Sequence, residues 1–163
     1  MRGRVESRLE GLAGKFRREV EELIRVAADG GVGLRVTEGY RSGVRQLAYW
    51  AQGRDVVKVR GLAWEMGLKL PKLGERDTVN WLRHAAGLAE LLDVTHRVTP
   101  LKPGESKHQF GLAVDVVPMR YGVPMWTDDK AWEFLGRVIE EEFPELVWGG
   151  SWKHPDRPHI ESK

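Results

Sequence analysis

Residues 106–115 read Ser-Lys-His-Gln-Phe-Gly-Leu-Ala-Val-Asp, the pattern S-x-H-x-x-G-x-A-x-D, and His159 follows Asp115 by 44 residues (159 − 115) within the block Asp156-Arg157-Pro158-His159. On a helix the seven residues from His108 to Asp115 would span two turns. Gly111 and the β-branched run after it argue against a helix. They predict a loop ending near His108, a bend at Gly111, and then a strand. Ala113 and Asp115 share one face of that strand, while Leu112, Val114 and Val116 share the other. His159 has to arrive from a neighbouring strand. Two imidazoles and one carboxylate then converge, so His108, Asp115 and His159 are candidate ligands for Zn²⁺. Tetrahedral zinc takes such donors at about 2.0–2.2 Å and, in a catalytic site, keeps one position for water. Asp156 is the spare carboxylate that a water-activating site needs close by.

Composition removes other chemistries. The chain has no cysteine, so disulfides, thiolate zinc sites and cysteine nucleophiles are excluded. No H-E-x-x-H occurs, which excludes the helical two-histidine zinc arrangement. A length of 163 residues, 41% hydrophobic and 31% charged, suits a single domain over 1–163 with one core. No apolar run approaches the roughly 20 residues of a membrane helix, so no membrane insertion is expected. The basic N-terminus lacks a following apolar stretch, so a secretory signal is not expected. Residues 1–60 carry 13 Lys/Arg against 8 Asp/Glu, and residues 61–163 carry 13 against 16. That basic front could favour a polyanion, but it reads more simply as helix-surface charge. No nucleic-acid reader motif accompanies it, so no nucleic-acid partner is expected, and the chain is expected to be a monomer.

Periodicity outlines the rest. Leu9, Leu12, Phe16, Val20, Leu23, Ile24 and Ala27 predict an amphipathic helix over Val5–Ala28, stopped at Asp29-Gly30-Gly31. Val32–Thr37 predicts a strand, and Ser42–Gln52 a second helix stopped by Gly53. Gly61, Gly67, Pro71 and Gly74 make residues 54–77 a loop-rich excursion with a short helical piece. A third helix is expected from Asp77 or Thr78 to about Leu92, with Trp81, Ala85, Leu88 and Leu92 on one face. Val94–Val98 is expected as a strand and Pro100–Glu105 as a turn-rich loop. Leu112–Val117 is the motif strand. Asp128–Glu142 is a fourth helix with Trp132, Leu135, Val138 and Ile139 as its stripe, and Pro158–Glu161 is the last strand. The fold class is α+β, with helices packed on a small antiparallel sheet.

Ser106, His108 and Asp115 could also be read as a nucleophilic triad. Nothing resembles a nucleophile elbow such as G-x-S-x-G, and that reading leaves Asp156 and His159 without work. Ser106 fits better as a hydrogen-bond partner of a substrate or of a ligand. Trp148 and Trp152 either line a groove or pack in the core. His154 lies near the candidate site in sequence and is a candidate substrate contact, whereas His84 and His96 have no assigned role.

Three blocks carry a resemblance to a known family: Thr37-Glu38-Gly39-Tyr40-Arg41-Ser42 continuing through Gln46 to Gln52-Gly53-Arg54; Ser106 to Asp115; and Trp148-Gly149-Gly150-Ser151-Trp152 with Asp156 to His159. They resemble the D-Ala-D-Ala carboxypeptidase and dipeptidase superfamily of zinc peptidases, whose fold is hedgehog-like, and more closely its phage-endolysin branch of L-alanyl-D-glutamate peptidases. The resemblance implies His108, Asp115 and His159 as zinc ligands and Asp156 as the catalytic base. It implies Arg41 as the cation that polarises the scissile carbonyl or neutralises the oxyanion. Arg41 could instead grip a substrate carboxylate or pair with Glu38. Ser106, Trp152 and His154 are the candidate substrate-binding residues. Residues 54–77 do not match the family pattern, and residues 95–104 are only loosely alike.

The function so implied is hydrolysis of the L-alanyl-D-glutamate bond in peptidoglycan stem peptides by an endolysin. Such an enzyme is held in the host cytoplasm until it is released to the wall. A D-Ala-D-Ala carboxypeptidase or dipeptidase is the second reading, and a non-catalytic zinc-containing module that binds cell wall is a third.

Overall fold

The computed structural model describes residues 8–163. The chain divides into two compact units, one formed by residues up to Tyr40 together with Phe110–Lys163, the other by Arg41–Gln109.

Alternation along the strands organises the first unit. Strands β1 (Gly33–Glu38), β2 (Ala113–Arg120), β3 (Val123–Pro124), β4 (Leu146–Trp148) and β5 (His159–Ser162) form one antiparallel sheet. Its order is β1-β2-β5-β4, with β3 paired to β2. Val36 lies opposite Val116, and Val114 opposite Ile160. These residues are buried with Phe16, Val20 and Leu23 of helix α1 (Gly14–Asp29) and with Trp132, Leu135, Val138 and Ile139 of helix α5 (Asp129–Glu142). Each side chain so covered contributes about 1.5–3 kcal/mol relative to exposure, and this apolar face fixes the register. Asp115 and His159 alternate with Val114 and Ile160, so they stand on the opposite face. The Asp128 carboxylate caps α5 by accepting from the Ala131 N–H at 3.1 Å.

The second unit has its own core. Helices α2 (Gly43–Ala51), α3 (Val56–Glu65) and α4 (Glu75–Ala85) bury Leu47, Ala48, Trp50, Val59, Ala63, Val79 and Leu82 together with Val94. Ser42 caps α2 through the Arg45 N–H at 3.2 Å. Asp55 caps α3 through the N–H groups of Val57 and Lys58.

The α+β class with a small antiparallel sheet is as expected, and several boundaries differ. The single helix predicted over Val5–Ala28 is interrupted at residues 10–13, and its expected first residues lie outside the described ones. The break has a cause. Gly11 adopts φ +80°, and the Ala13 N–H donates to the Gly111 carbonyl at 2.9 Å, so this segment docks against Gly111 instead of continuing the helix. Gly61 does not break α3; its missing Cβ points into open space, so its cost there is backbone entropy alone. The third helix starts at Glu75 rather than Asp77 or Thr78 and ends at Ala85, where Gly87 takes φ +68°. Its buried face is Thr78, Val79, Leu82 and Arg83, leaving Trp81 and Leu92 exposed. The strand predicted at Val94–Val98 does not form. Asp93 holds the Thr95 N–H and hydroxyl in a tight turn, and the Val94 carbonyl is used by the Gly53 N–H.

Candidate metal centre

Each candidate ligand is set by its element. His108 sits on a 3₁₀ turn, Lys107–Phe110, and is 2% exposed. Gly111 follows at φ +67°, where a methyl group would overlap the carbonyl oxygen of Gly11. Only glycine suits that bend, so the motif glycine is explained by close backbone approach. Asp115 lies in β2 opposite Glu38 on one side and His159 on the other. The β1–β2 ladder shifts register between Val36 and Glu38. The Thr37 hydroxyl at that irregularity donates to the Asp115 carbonyl at 3.1 Å.

The block that delivers His159 is tied down by its main chain. The Asp156 N–H donates to the Gly149 carbonyl at 2.9 Å, and the His159 N–H donates to the Asp156 carbonyl at 3.1 Å. A Cβ on Gly149 would meet the Asp156 carbonyl oxygen, which accounts for the glycine there. The Trp148 indole donates to the Arg157 carbonyl at 2.7 Å and packs over Gly136 and Gly150. Of the two readings for Trp148, packing is what the structure displays: the ring anchors the turn that carries Asp156 and His159.

Asp115 and His159, both of the first unit, offer one ligand atom each, Oδ1 and Nδ1, 3.4 Å apart, and His108 is the third candidate donor. Two neutral imidazoles and a carboxylate are borderline-soft and hard donors suited to zinc, so the residues fit the implied metal. His159 Nδ1 faces Asp115 Oδ1 at 3.4 Å, and its Nε2 faces Glu161 Oε2 at 3.0 Å. Burial is the largest influence on this imidazole and pushes its pKa down. The hydrogen bonds to Asp115 and Glu161, with their charges, together outweigh it and hold the net value above the ordinary histidine range.

The other sequence candidates are placed as follows. Asp156 is exposed on the turn before β5. Arg41 donates its backbone N–H to the His108 carbonyl at 3.1 Å. Its guanidinium donates to Gln46 Oε1 at 2.9 Å and lies 4.9 Å from the Tyr49 ring centre. Gln46, fully buried, donates in turn to the Leu101 carbonyl at 2.8 Å. Trp152 is partly exposed, with its ring centre 5.2 Å from that of His159. His154 is exposed. Ser106 is 3% exposed, which favours a role toward a ligand residue over direct substrate contact. Sequence reasoning gave no role to Glu161, Gln46 or Tyr49. The signals existed: Glu161 is two residues from His159 on one strand face, and Gln46 and Tyr49 are five and eight residues beyond Arg41 on a helix.

Residues 101–162 match the family model for D-alanyl-D-alanine carboxypeptidase. No curated protein matches the chain. Among solved structures, the chain is similar to the L-Ala D-Glu endopeptidase ChiX of Serratia marcescens, with 24% identity, 98% of this chain and 86% of that chain covered, and a TM-score of 0.53. It is also similar to VanYB in complex with D-alanine-D-alanine, with 15% identity, 93% and 71% covered, and a TM-score of 0.50. The likeness to these two structures is one of fold.

Proposed function

We propose that this chain is a zinc-dependent peptidase that hydrolyses the L-alanyl-D-glutamate bond of peptidoglycan stem peptides. One observation carries the reading: Asp115 and His159, two of the three candidate ligands and distant in sequence, are register partners whose ligand atoms lie 3.4 Å apart. A zinc ion held by them would supply Lewis acidity and bring the pKa of a water toward about 7. The remaining work belongs to side chains. Asp156 takes the proton of the attacking water and returns it to the leaving amine. Arg41 meets the negative charge that builds on the scissile carbonyl oxygen, and Gln46 and Tyr49 hold its guanidinium in one orientation. Trp152, exposed beside the ring of His159, offers a flat apolar wall to the peptide.

By the family resemblance, many relatives with dipeptidase activity carry glutamate at the position of Asp156 and the endolysin-like branch carries aspartate, which supports the L-alanyl-D-glutamate bond. The match of residues 101–162 to the D-alanyl-D-alanine carboxypeptidase family supports the second reading, removal of terminal D-alanine. Muropeptide digestion followed by mass spectrometry separates the two. New termini at L-alanine and D-glutamate are expected. Loss of terminal D-alanine alone would replace the first reading with the second. No cleavage by zinc-loaded protein would leave only wall binding, and cleavage that persists after chelation would remove the metal from the mechanism.

A further inference from the structure

We propose that Glu161 is the positioning residue of the metal centre: it fixes the His159 ring so that Nδ1 is the ligating atom and Nε2 keeps the proton. The inference rests on the metal-centre reading above and adds a residue that the motif does not contain.

An imidazole has two chemically similar nitrogens, and rotation about its terminal torsion changes which of them faces a given neighbour. A strand-borne histidine therefore needs a second partner to define which nitrogen meets a metal. His159 and Glu161 are two apart on β5, so their side chains leave the same face of the strand. Both are largely covered, with side chains 12% and 19% exposed. Glu161 Oε2 stands 3.0 Å from Nε2, a normal distance for an N–H donating to a carboxylate. That bond directs Nδ1 toward Asp115 Oδ1, 3.4 Å away. With the proton on Nε2, Nδ1 and the Asp115 oxygen present lone pairs to each other, an arrangement that a cation satisfies. Glu161 also lies opposite Ala113 of β2 and Val147 of β4, so its backbone is paired on both sides. The carboxylate is thus mounted on an interior strand rather than on a loop.

Outer partners of metal-bound histidines commonly account for about 10–100-fold in metal affinity. Zinc affinity, measured by competition with a chromophoric chelator, is compared for the wild type, Glu161→Ala, Glu161→Gln and His159→Ala. Glu161→Ala is expected to bind zinc 10–100-fold more weakly. Glu161→Gln is expected to recover most of the loss, because its amide oxygen still accepts from Nε2–H. Nitrogen-15 spectra of the zinc-loaded wild type should report His159 protonated at Nε2 and coordinated through Nδ1. Wild-type affinity in Glu161→Ala, equal losses in the two variants, or coordination through Nε2 would each overturn the proposal. A loss in Glu161→Ala as complete as in His159→Ala would make Glu161 a ligand and overturn it as well. Failure of the wild type itself to bind zinc would instead remove the metal-centre reading.

Discussion

Asp115 and His159 face each other across β2 and β5 as direct register partners, with Oδ1 and Nδ1 3.4 Å apart. The sheet ladder sets this pairing, because a slip of one residue would turn one of the two onto the apolar face. Two candidate ligands 44 residues apart in sequence are therefore brought together by the same hydrogen bonds that build the fold. Asp115→Asn keeps the shape and removes the charge. We expect it to weaken zinc binding by at least the 10–100-fold range seen when an outer partner is lost. Chelator competition reads this directly, and wild-type affinity in the variant would take Asp115 out of the ligand set.

The same pair makes the metal-free protein sensitive to pH. His159 has its pKa raised in the folded chain, the bonds to Asp115 and Glu161 outweighing the opposing effect of burial. A group of this kind stabilises the fold fully below the unfolded histidine pKa of about 6.5, and that stabilisation is lost as pH rises through the folded value. Zinc needs the neutral ring, so its affinity should change in the opposite sense and strengthen over the same interval. Urea unfolding with chelator present, from pH 5.5 to 8.5, should give a wild-type midpoint that falls with pH relative to His159→Gln. Parallel pH profiles for the two proteins would contradict the assignment.

Asp156 holds the turn before β5 through its backbone, with its N–H on Gly149 and its carbonyl receiving the His159 N–H. Its side chain can therefore be changed without breaking those bonds. Asp156→Asn is expected to keep zinc at the wild-type ratio while losing about 10²–10⁴-fold in turnover, the usual contribution of a positioned acid–base group. Elemental analysis and muropeptide kinetics on one preparation check both halves. Undiminished turnover would exclude Asp156 as the base.

Strands β1, β2 and β5 and the candidate ligands were legible in the sequence because they depend on local pattern, whereas β3 and β4, two and three residues long, are too short to show alternation. Val114 and Val116 alternate with Asp115, and Trp132, Leu135, Val138 and Ile139 repeat at helical spacing. What escaped depends on contacts between distant segments. The break at residues 10–13 follows from docking on Gly111, about a hundred residues away, which no window around Gly11 could reveal. The missing strand at Val94–Val98 has the composition of a strand, but Asp93 and Gly53 take up its polar groups before a ladder can form. Trp81 and Leu92 are apolar, yet α4 ends at Ala85, so Leu92 lies beyond it, and Thr78, Val79, Leu82 and Arg83 form its buried stripe. Glu161 went unassigned because a glutamate on a strand is ordinary until the ring beside it is seen.

Gly111 gives a stability test independent of chemistry. Its φ of +67° and its contact with the Gly11 carbonyl leave no room for a side chain. Gly111→Ala should destabilise the metal-free protein by roughly 2–4 kcal/mol, combining left-handed backbone strain with overpacking against main chain. Urea denaturation in the presence of chelator measures it. A midpoint within error of the wild type would mean that the N-terminal segment is not held against Gly111 in solution.

Arg41 is oriented from three sides: its backbone N–H on the His108 carbonyl, its guanidinium on Gln46 Oε1, and the Tyr49 ring 4.9 Å away. A cation held this firmly suits charge that appears only in the transition state, since little reorganisation is then needed. Arg41→Ala should lower turnover by about 10²–10³-fold with zinc content unchanged. Gln46→Ala leaves the cation in place but frees its orientation, and one buried hydrogen bond to a charged group is worth about 1.5–3 kcal/mol, so a loss of at least about 10-fold is expected. The kinetic split decides between the two roles open to Arg41. A fall in kcat marks a residue that meets the developing oxyanion. A rise in KM with kcat unchanged marks one that grips a substrate carboxylate, such as that of D-glutamate. If neither constant moves in Arg41→Ala, the residue has no part in the reaction, and its hydrogen bonds serve only to pin the chain beside His108.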